Sequence, residues 1–332
     1  MKKIYQHVDI LNKHGHKAFV LHSIPGFRST WFENDTSIAY PYVPLGTINN
    51  KFFPGDLELI TKTGKLPAIN ALDIVVVPEI WAFEFSKVAS KEQPFVIFSQ
   101  NAYYTFNSLH LSGSPHPCDI ELSPNPYHAS NLLGVLVVSQ DNLEYLKFIF
   151  PKVPDHRIRI SVDSNKFAFS SNKQKQIAYM PRKNAYDILQ VIGIITARGK
   201  LKGWSFVPIE NKTEEKVAEI MKNSWMYLST CDFEGFALPP MEAMLSGCLV
   251  VGYHGQGSKE YIRHPYAMPI ISEDLVGFVM AIELIAANID LYPQDLLAKA
   301  KQNCEILKAK YSQEHEENDV LAVWNTLSDV YS

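Results

Sequence analysis

The sequence predicts an α/β protein built from two doubly wound, Rossmann-like domains and a helical C-terminal tail. Three observations lead there. Short β-branched runs alternate with amphipathic stretches, as in a parallel sheet with helical crossovers. The runs are apolar on both faces, as strands covered by helices on two sides must be. The alternation weakens once near the middle of the 332 residues and then resumes, and that length exceeds one ordinary core.

Taken in order, "KKIYQHVDILNKHGH" places Ile4, Val8, Ile10 and Leu11 near helical spacing and stops at Gly15. "KAFVLHS" reads as a strand ending at the turn "IPGFRS". "LDIVVVPE", "PFVIFSQ" and "GVLVVSQ" follow as strands, with "DNLEYLKFIF" as a helix. The stretch 151–175 is rich in Pro, Ser, Asn and Lys and reads as the approach to an interdomain connection. This bounds a first domain over 1–160. The second, 161–310, runs strand "QIAYM", helix "AYDILQVIGIITARG", strand "WSFVPI", helix "EEKVAEIM", strand "WMYLST", then a further helix and the strand "CLVVGY". The tail is helical from about 272, and 311–332 is expected to form a last helix that packs back on the first domain.

A doubly wound domain usually opens with a strand, a glycine-rich loop and a helix. This chain opens in the helix. The wanting strand would lie near the middle of the sheet, and each unpaired backbone group there costs about 1–3 kcal/mol. Either the fold compensates, or the natural protein begins upstream of Met1.

Composition narrows the function classes. A net charge of −4 and a pI near 6.3 give no global reason to expect nucleic acid. Cys118, Cys231, Cys248 and Cys304 are widely spaced and form no CxxC pair, which reads as reduced, packed thiols of a cytoplasmic protein. The N-terminus lacks the apolar run of a signal peptide, and no stretch reaches the roughly 18 apolar residues of a membrane span. Peripheral contact at the inner membrane face stays open. Eleven histidines, among them His14, His16, His110, His116 and His128, show no ligand spacing, so no metal is expected.

The chemistry concentrates in "CDFEGFALPPMEAMLSGCLVVGYHGQG", Cys231 to Gly257. The strand before it should end near Thr230, so Cys231 to Leu238 emerges at the carboxyl edge of the sheet, where open α/β sheets bind ligands. Pro239 and Pro240 suit a helix start and Gly247 its end. N–H groups near Gly235, Phe236, Ala237 and Leu238 would then offer an anion site. Two readings stand at Glu242: an acid capping the first helical turn, or a carboxylate accepting from two ribose hydroxyls. Two stand at Glu234: a solvated loop acid, or a group that meets a sugar or assists developing charge.

"EGFALPPMEAMLSGCLVVG" closely resembles the E-x7-E signature of retaining glycosyltransferases with the two-domain GT-B fold, family 4 (group 1) in particular. The family form is approximately EGFGLPxxEAMAxGxPVV; Ala237 replaces a common Gly and Leu249 a common Pro. The resemblance is strong over 177–260 and only a matter of pattern over 1–150.

It implies a hexosyltransferase that takes a nucleoside-diphosphate sugar and a glycan or lipid-linked acceptor, retains configuration and needs no cofactor or metal. Glu234 would orient the donor sugar and Glu242 hold the ribose. In "YMPRKN", Arg182 and Lys183 resemble the pair that binds the donor diphosphate, where surface cations are the other reading. Ile209, Glu210 and Asn211 lie where the family contacts the base, and Gly252, Gly255 and Gly257 read as a flexible glycine loop. In the first domain, Arg28, Gln100, Asn101 and Tyr103 with Tyr104 are acceptor-side candidates, set against a surface-cation reading for Arg28 and core packing for the tyrosines. Because the opening strand and its glycine-rich loop are wanting, an inactive nucleotide- or glycan-binding protein, or a partner subunit, is the competing class.

Overall fold

The computed structural model describes residues 1–41, 59–67, 69–88, 91–106 and 125–331. The chain divides into two compact units, Met1–Ile158 with Glu317–Ser332, and Arg159–Glu316.

In the first unit, helix α1 (Lys2–Lys13) ends at His14, and Gly15 follows at a φ of 86°, a backbone angle glycine adopts without penalty. Strands β1 (Val20–Leu21) and β2 (Ile38–Pro41) pair in parallel, and β3 (Leu59–Thr61) and β4 (Gly64–Leu66) add an antiparallel hairpin at the β2 edge. A separate parallel sheet runs β5 (Val75–Pro78), β6 (Phe95–Ser99), β7 (Leu132–Val137) and β8 (Asp155–Arg157) in that order. Helices α2 (Ala82–Val88) and α3 (Gln140–Ile149) connect its strands. The one continuous sheet expected here is therefore two among the described residues. Strands β1 and β5 are the end strands of these two sheets.

Helix α1 spans that division. On one side the buried Tyr5 hydrogen-bonds His22 Nε2 at 2.6 Å and packs edge-on to Phe32. On the other, the His7 ring lies 5.5 Å from Phe98 of β6. His7 Nε2 also accepts a hydrogen bond from Trp324 Nε1 at 2.6 Å, on the last helix of the chain.

The second unit carries one parallel sheet in the order β10-β9-β11-β12-β13, the doubly wound pattern expected. Its elements are β9 (Gln174–Tyr179), α4 (Ala185–Arg198), β10 (Ser205–Pro208), α5 (Glu214–Asn223), β11 (Ser224–Glu234), α6 (Leu238–Leu245), β12 (Leu249–Gln256) and β13 (Met268–Pro269). Then come α7 (Leu275–Leu291), α8 (Pro293–Lys310) and α9 (Gln313–Tyr331), the last crossing from the second unit into the first at Glu317. Met226 and Leu228 of β11, Ile177 of β9 and Val251 of β12 pack with Val191 of α4 and with Phe278 and Ile282 of α7. No single helix among the described residues is long and apolar enough to cross a membrane.

Two boundaries differ from expectation. Strand β11 continues past Thr230 to Glu234, paired with β12 as far as Glu234 opposite Gln256. Gly252 and Gly255 lie inside β12 and not in a flexible loop. A Cβ at Gly252 would stand 2.0 Å from the Ser229 carbonyl oxygen, so close strand approach explains this glycine.

His7 yields a pH prediction. Burial pulls its imidazole to about 4, from an ordinary value of 6.5. Between those values the unfolded chain binds the proton and the folded chain does not. Stability is thus complete above pH 6.5 and is lost as pH falls toward 4, by roughly 3 kcal/mol. Burial raises Glu79 to about 6, which acts oppositely over pH 4.5 to 6 but is common to wild type and variant. In urea unfolding from pH 7 to pH 4, the stability advantage of wild type over His7→Gln should shrink by that amount.

Candidate active site

Strand β9 ends at Tyr179, and the turn "MPRKN" leads into α4. At its end Asn184 takes the left-handed conformation, φ 47°, and its Nδ2 donates to the Thr230 carbonyl at 3.1 Å. Thr230 Oγ1 returns a bond to the Lys183 carbonyl at 3.0 Å. These reciprocal bonds fasten the turn to β11 and set the Lys183 ammonium in direct contact with the Glu234 carboxylate. Arg182 stands exposed on the same turn. Partial burial pulls the Lys183 ammonium below its ordinary value; Arg182 adds to that, while Cys231 and Asp232 oppose it. The Glu234 carboxylate favours the charged ammonium as well.

Glu234 is the last residue of β11, and the pairing with β12 slips between Cys231 and Glu234, an irregularity that re-aims the strand end. The following loop is pinned from the far side. Ala237 N–H donates to Ser258 Oγ at 2.8 Å, the Tyr261 hydroxyl donates to the Ala237 carbonyl, and Gly257 N–H donates to the Glu234 carbonyl at 3.0 Å. A Cβ at Gly257 would lie 2.0 Å from the Gly235 carbonyl oxygen. Phe236 is buried against Tyr261 and Tyr311, with ring centroids at 5.1 and 5.4 Å.

Helix α6 begins at Leu238 with prolines in its first turn, and neither a capping side chain nor an acid stands there. Glu242 is therefore not the capping acid of one reading: it sits one residue beyond the first turn, half-buried. Burial raises the Tyr227 hydroxyl well above its ordinary value, and the nearby Cys231, Glu242 and Cys248 add to it. Of the N–H groups expected to serve an anion, that of Ala237 is already taken by Ser258. Pro239 and Pro240 bring none.

Beside β9, β10 ends at Pro208, paired with Tyr179. Ile209 is buried and its N–H donates to the Tyr179 carbonyl at 2.8 Å, whereas Glu210 and Asn211 are exposed and Asn211 is left-handed at φ 50°. The carboxyl ends of neighbouring strands thus present the segment after β10, the cationic turn after β9 and Glu234 at the end of β11 along one sheet edge.

Residues 200–286 match the family described as "Glycosyl transferases group 1", a span that includes both glutamates but not Arg182 or Lys183. The chain is 23% identical over 296 residues to an alpha-1,6-glucosyltransferase of Actinobacillus pleuropneumoniae serotype 7 (strain AP76), covering 82% of this chain and 83% of that one. It superposes on sucrose-phosphate synthase from Thermosynechococcus elongatus with a TM-score of 0.67 at 10% identity, covering 99% and 93% of the two chains. On the Anabaena protein HepE, solved in complex with UDP-glucose, the TM-score is 0.52 at 14% identity, covering 70% and 72%. The chain is a GT-B glycosyltransferase.

The first-unit candidates of this glycosyltransferase are largely engaged with their own neighbours. Arg28 donates to Asn34 Oδ1 at 2.6 Å and to the Thr36 carbonyl at 2.9 Å, bracing its loop. Gln100 and Asn101 donate their backbone N–H groups to the buried Glu79 carboxylate at 3.2 and 3.1 Å, and Asn101 Oδ1 accepts from Tyr103 N–H at 3.2 Å. The Tyr103 hydroxyl donates to Asp141 at 2.7 Å and its ring packs 4.8 Å from Tyr145; Tyr104 is exposed. Among the described residues no group of three His, Cys, Asp or Glu side chains comes together. His110, His116 and Cys118 lie outside the described residues.

Sequence reasoning missed Asn184, Ser258, Tyr261 and Glu79. Ser258 stands directly after the glycines of "HGQGSKEYI" and Tyr261 three residues further on, and a hydroxyl at the first of these was the available signal. Replacing Ser258 with Ala strands the buried Ala237 N–H, a loss of about 1–3 kcal/mol. Thermal unfolding should register that loss, and Ser258→Thr should recover part of it.

Proposed function

We propose that this glycosyltransferase moves a sugar from a nucleoside-diphosphate donor to a hydroxyl of a glycan or lipid-linked acceptor, with retention at the anomeric carbon. The contact between Lys183 and Glu234 carries the reading, because it joins the two chemistries the transfer needs at one sheet edge. As the bond from the anomeric carbon to the diphosphate oxygen breaks, negative charge grows on the diphosphate. Arg182 and Lys183 offset it, and no metal is required for that role. Positive charge grows on the sugar, where Glu234 orients the ring hydroxyls and faces the oxocarbenium-like centre. The acceptor oxygen bonds to the anomeric carbon from the side the diphosphate leaves, and its proton departs with the diphosphate. Glu242 accepts from the ribose hydroxyls, and Ile209 and Asn211 bound the base. Gly235, Phe236, Ala237 and Leu238 line the donor.

The curated relative's name makes glucose the first sugar to test, and the HepE complex makes UDP the first nucleotide. The reaction is placed in the cytoplasm, in polysaccharide assembly, and at the inner membrane face where the acceptor is lipid-linked.

Thermal unfolding against UDP, GDP, ADP and their sugar conjugates tests the donor site. A ligand at 100 times its Kd adds about 2.7 kcal/mol of stability. Glu242→Ala should weaken nucleotide binding by about 1–3 kcal/mol, and Glu234→Gln should lower turnover more than affinity. No stabilisation by any nucleotide in the folded protein would overturn the donor site, and an inverted anomer in the product spectrum would overturn retention.

A further inference from the structure

Helix α7 reads LVGFVMAIELIAANIDL and is apolar nearly all round. Such a helix is ordinarily enclosed. Here only one face is: Phe278, Val279, Ile282, Ile285, Ala286 and Ile289 are buried against the sheet and α4. The opposite face carries Val276, Met280, Leu284, Ala287 and Leu291, at steps of four, four, three and four residues, all exposed. Met280 is 61% and Leu284 55% accessible. The stripe covers 15 residue steps, about 22 Å of helix. It forms one wall of an open groove of about 870 Å³ whose other wall is the end of α4 and the turn after it, including Ile194, Leu201 and Trp204. Continuous apolar surface of this kind marks an association site.

Charge along the stripe says what covers it. Its N-terminal end bears the exposed acids Glu273 and Asp274. The middle and C-terminal part is flanked by Arg198, Lys200 and Lys202 on the groove wall and by Lys175 at the far end. Glu283 pairs with Arg198 and Lys200, and Asp290 with Lys175, which leaves two positive charges in excess on that half. One end is acidic and the other basic. We propose that the α7 face is a self-association surface on which a second copy of this chain docks with its α7 antiparallel. A two-fold axis near Leu284 would set the acidic end of each copy over the basic half of the other, so the surface is complementary to itself. An anionic membrane would meet Glu273 and Asp274 with like charge.

Sedimentation equilibrium of the full chain from about 1 to 100 μM tests this. The expected result is a monomer–dimer equilibrium, weakened at least tenfold by Met280→Glu or Leu284→Glu, with the variants' folding checked by thermal unfolding. Lys202→Glu should weaken the dimer, and Glu273→Lys added to it should restore the dimer in part. Nucleotide stabilisation should persist in Met280→Glu, so failure here stays distinct from failure of the donor-site reading. A monomer throughout the range would overturn the proposal, as would a Met280→Glu protein that dimerises normally. A monomeric wild type that floats with phosphatidylglycerol vesicles, where Met280→Glu does not, would assign the face to a membrane instead.

Discussion

The second unit depends on one constraint, that a central strand of a parallel sheet must pair its backbone on both sides. Strand β11 is that strand: β9 flanks it on one side and β12 on the other. Its residues from Ser224 to Thr230 are buried throughout. Pairing with β9 ends at Leu228, and pairing with β12 alone carries β11 outward to Glu234 and brings β12 so close that Gly252 and Gly255 have no room for a side chain. The carboxylate is therefore delivered by a hydrogen-bonded strand end and not by a loop. A loop acid would have had to be ordered at an entropic cost of about 1–2 kcal/mol per residue.

The same economy governs the cationic turn. Asn184 and Thr230 exchange hydrogen bonds through each other's neighbourhood, so the position of Lys183 is fixed by β11 and not by its own flexible stem. The resulting ion pair is partly exposed, with side chains 35% and 21% accessible, and a pair so placed contributes little net stability. Its value lies in readiness. Both charges are already stripped of part of their water, and in the proposed reaction a diphosphate at Lys183 would replace one anionic partner with another.

Legibility followed the physics of each feature. The apolar runs that became β6 and β7 were readable because burial on two faces leaves a nearly unbroken apolar string. Both glutamates were readable because their spacing, prolines and following strand all coincide with a known signature. The capping reading of Glu242 failed because helix α6 starts at Leu238 and the prolines fall in its first turn, an offset of one or two residues that the sequence alone does not resolve. The glycines of β12 were misread as a loop, since glycine marks a close backbone approach as readily as a turn. Ser258 and Tyr261 stayed hidden because their partner is a backbone amide twenty or more residues away, and backbone partners leave no trace in residue identity. The hairpin of β3 and β4 was too short to show alternation.

Each unit places a carboxylate at the carboxyl end of a parallel strand, Glu234 as the last residue of β11 and Glu79 just past β5, yet the environments assign them different work. Glu79 follows β5, is buried, and spends its oxygens on the N–H groups of Gln100 and Asn101. Burial raises it to about 6 even though those bonds favour the ionised form, so desolvation outweighs them. A carboxylate held that way anchors the loop after β6 and has little left for a ligand. Glu234 keeps one face toward solvent and a cation within reach, so its partners can be exchanged. Position at the sheet edge is common to the two; what separates an anchor from a group able to meet a substrate is whether the protein itself has already consumed its hydrogen-bonding capacity.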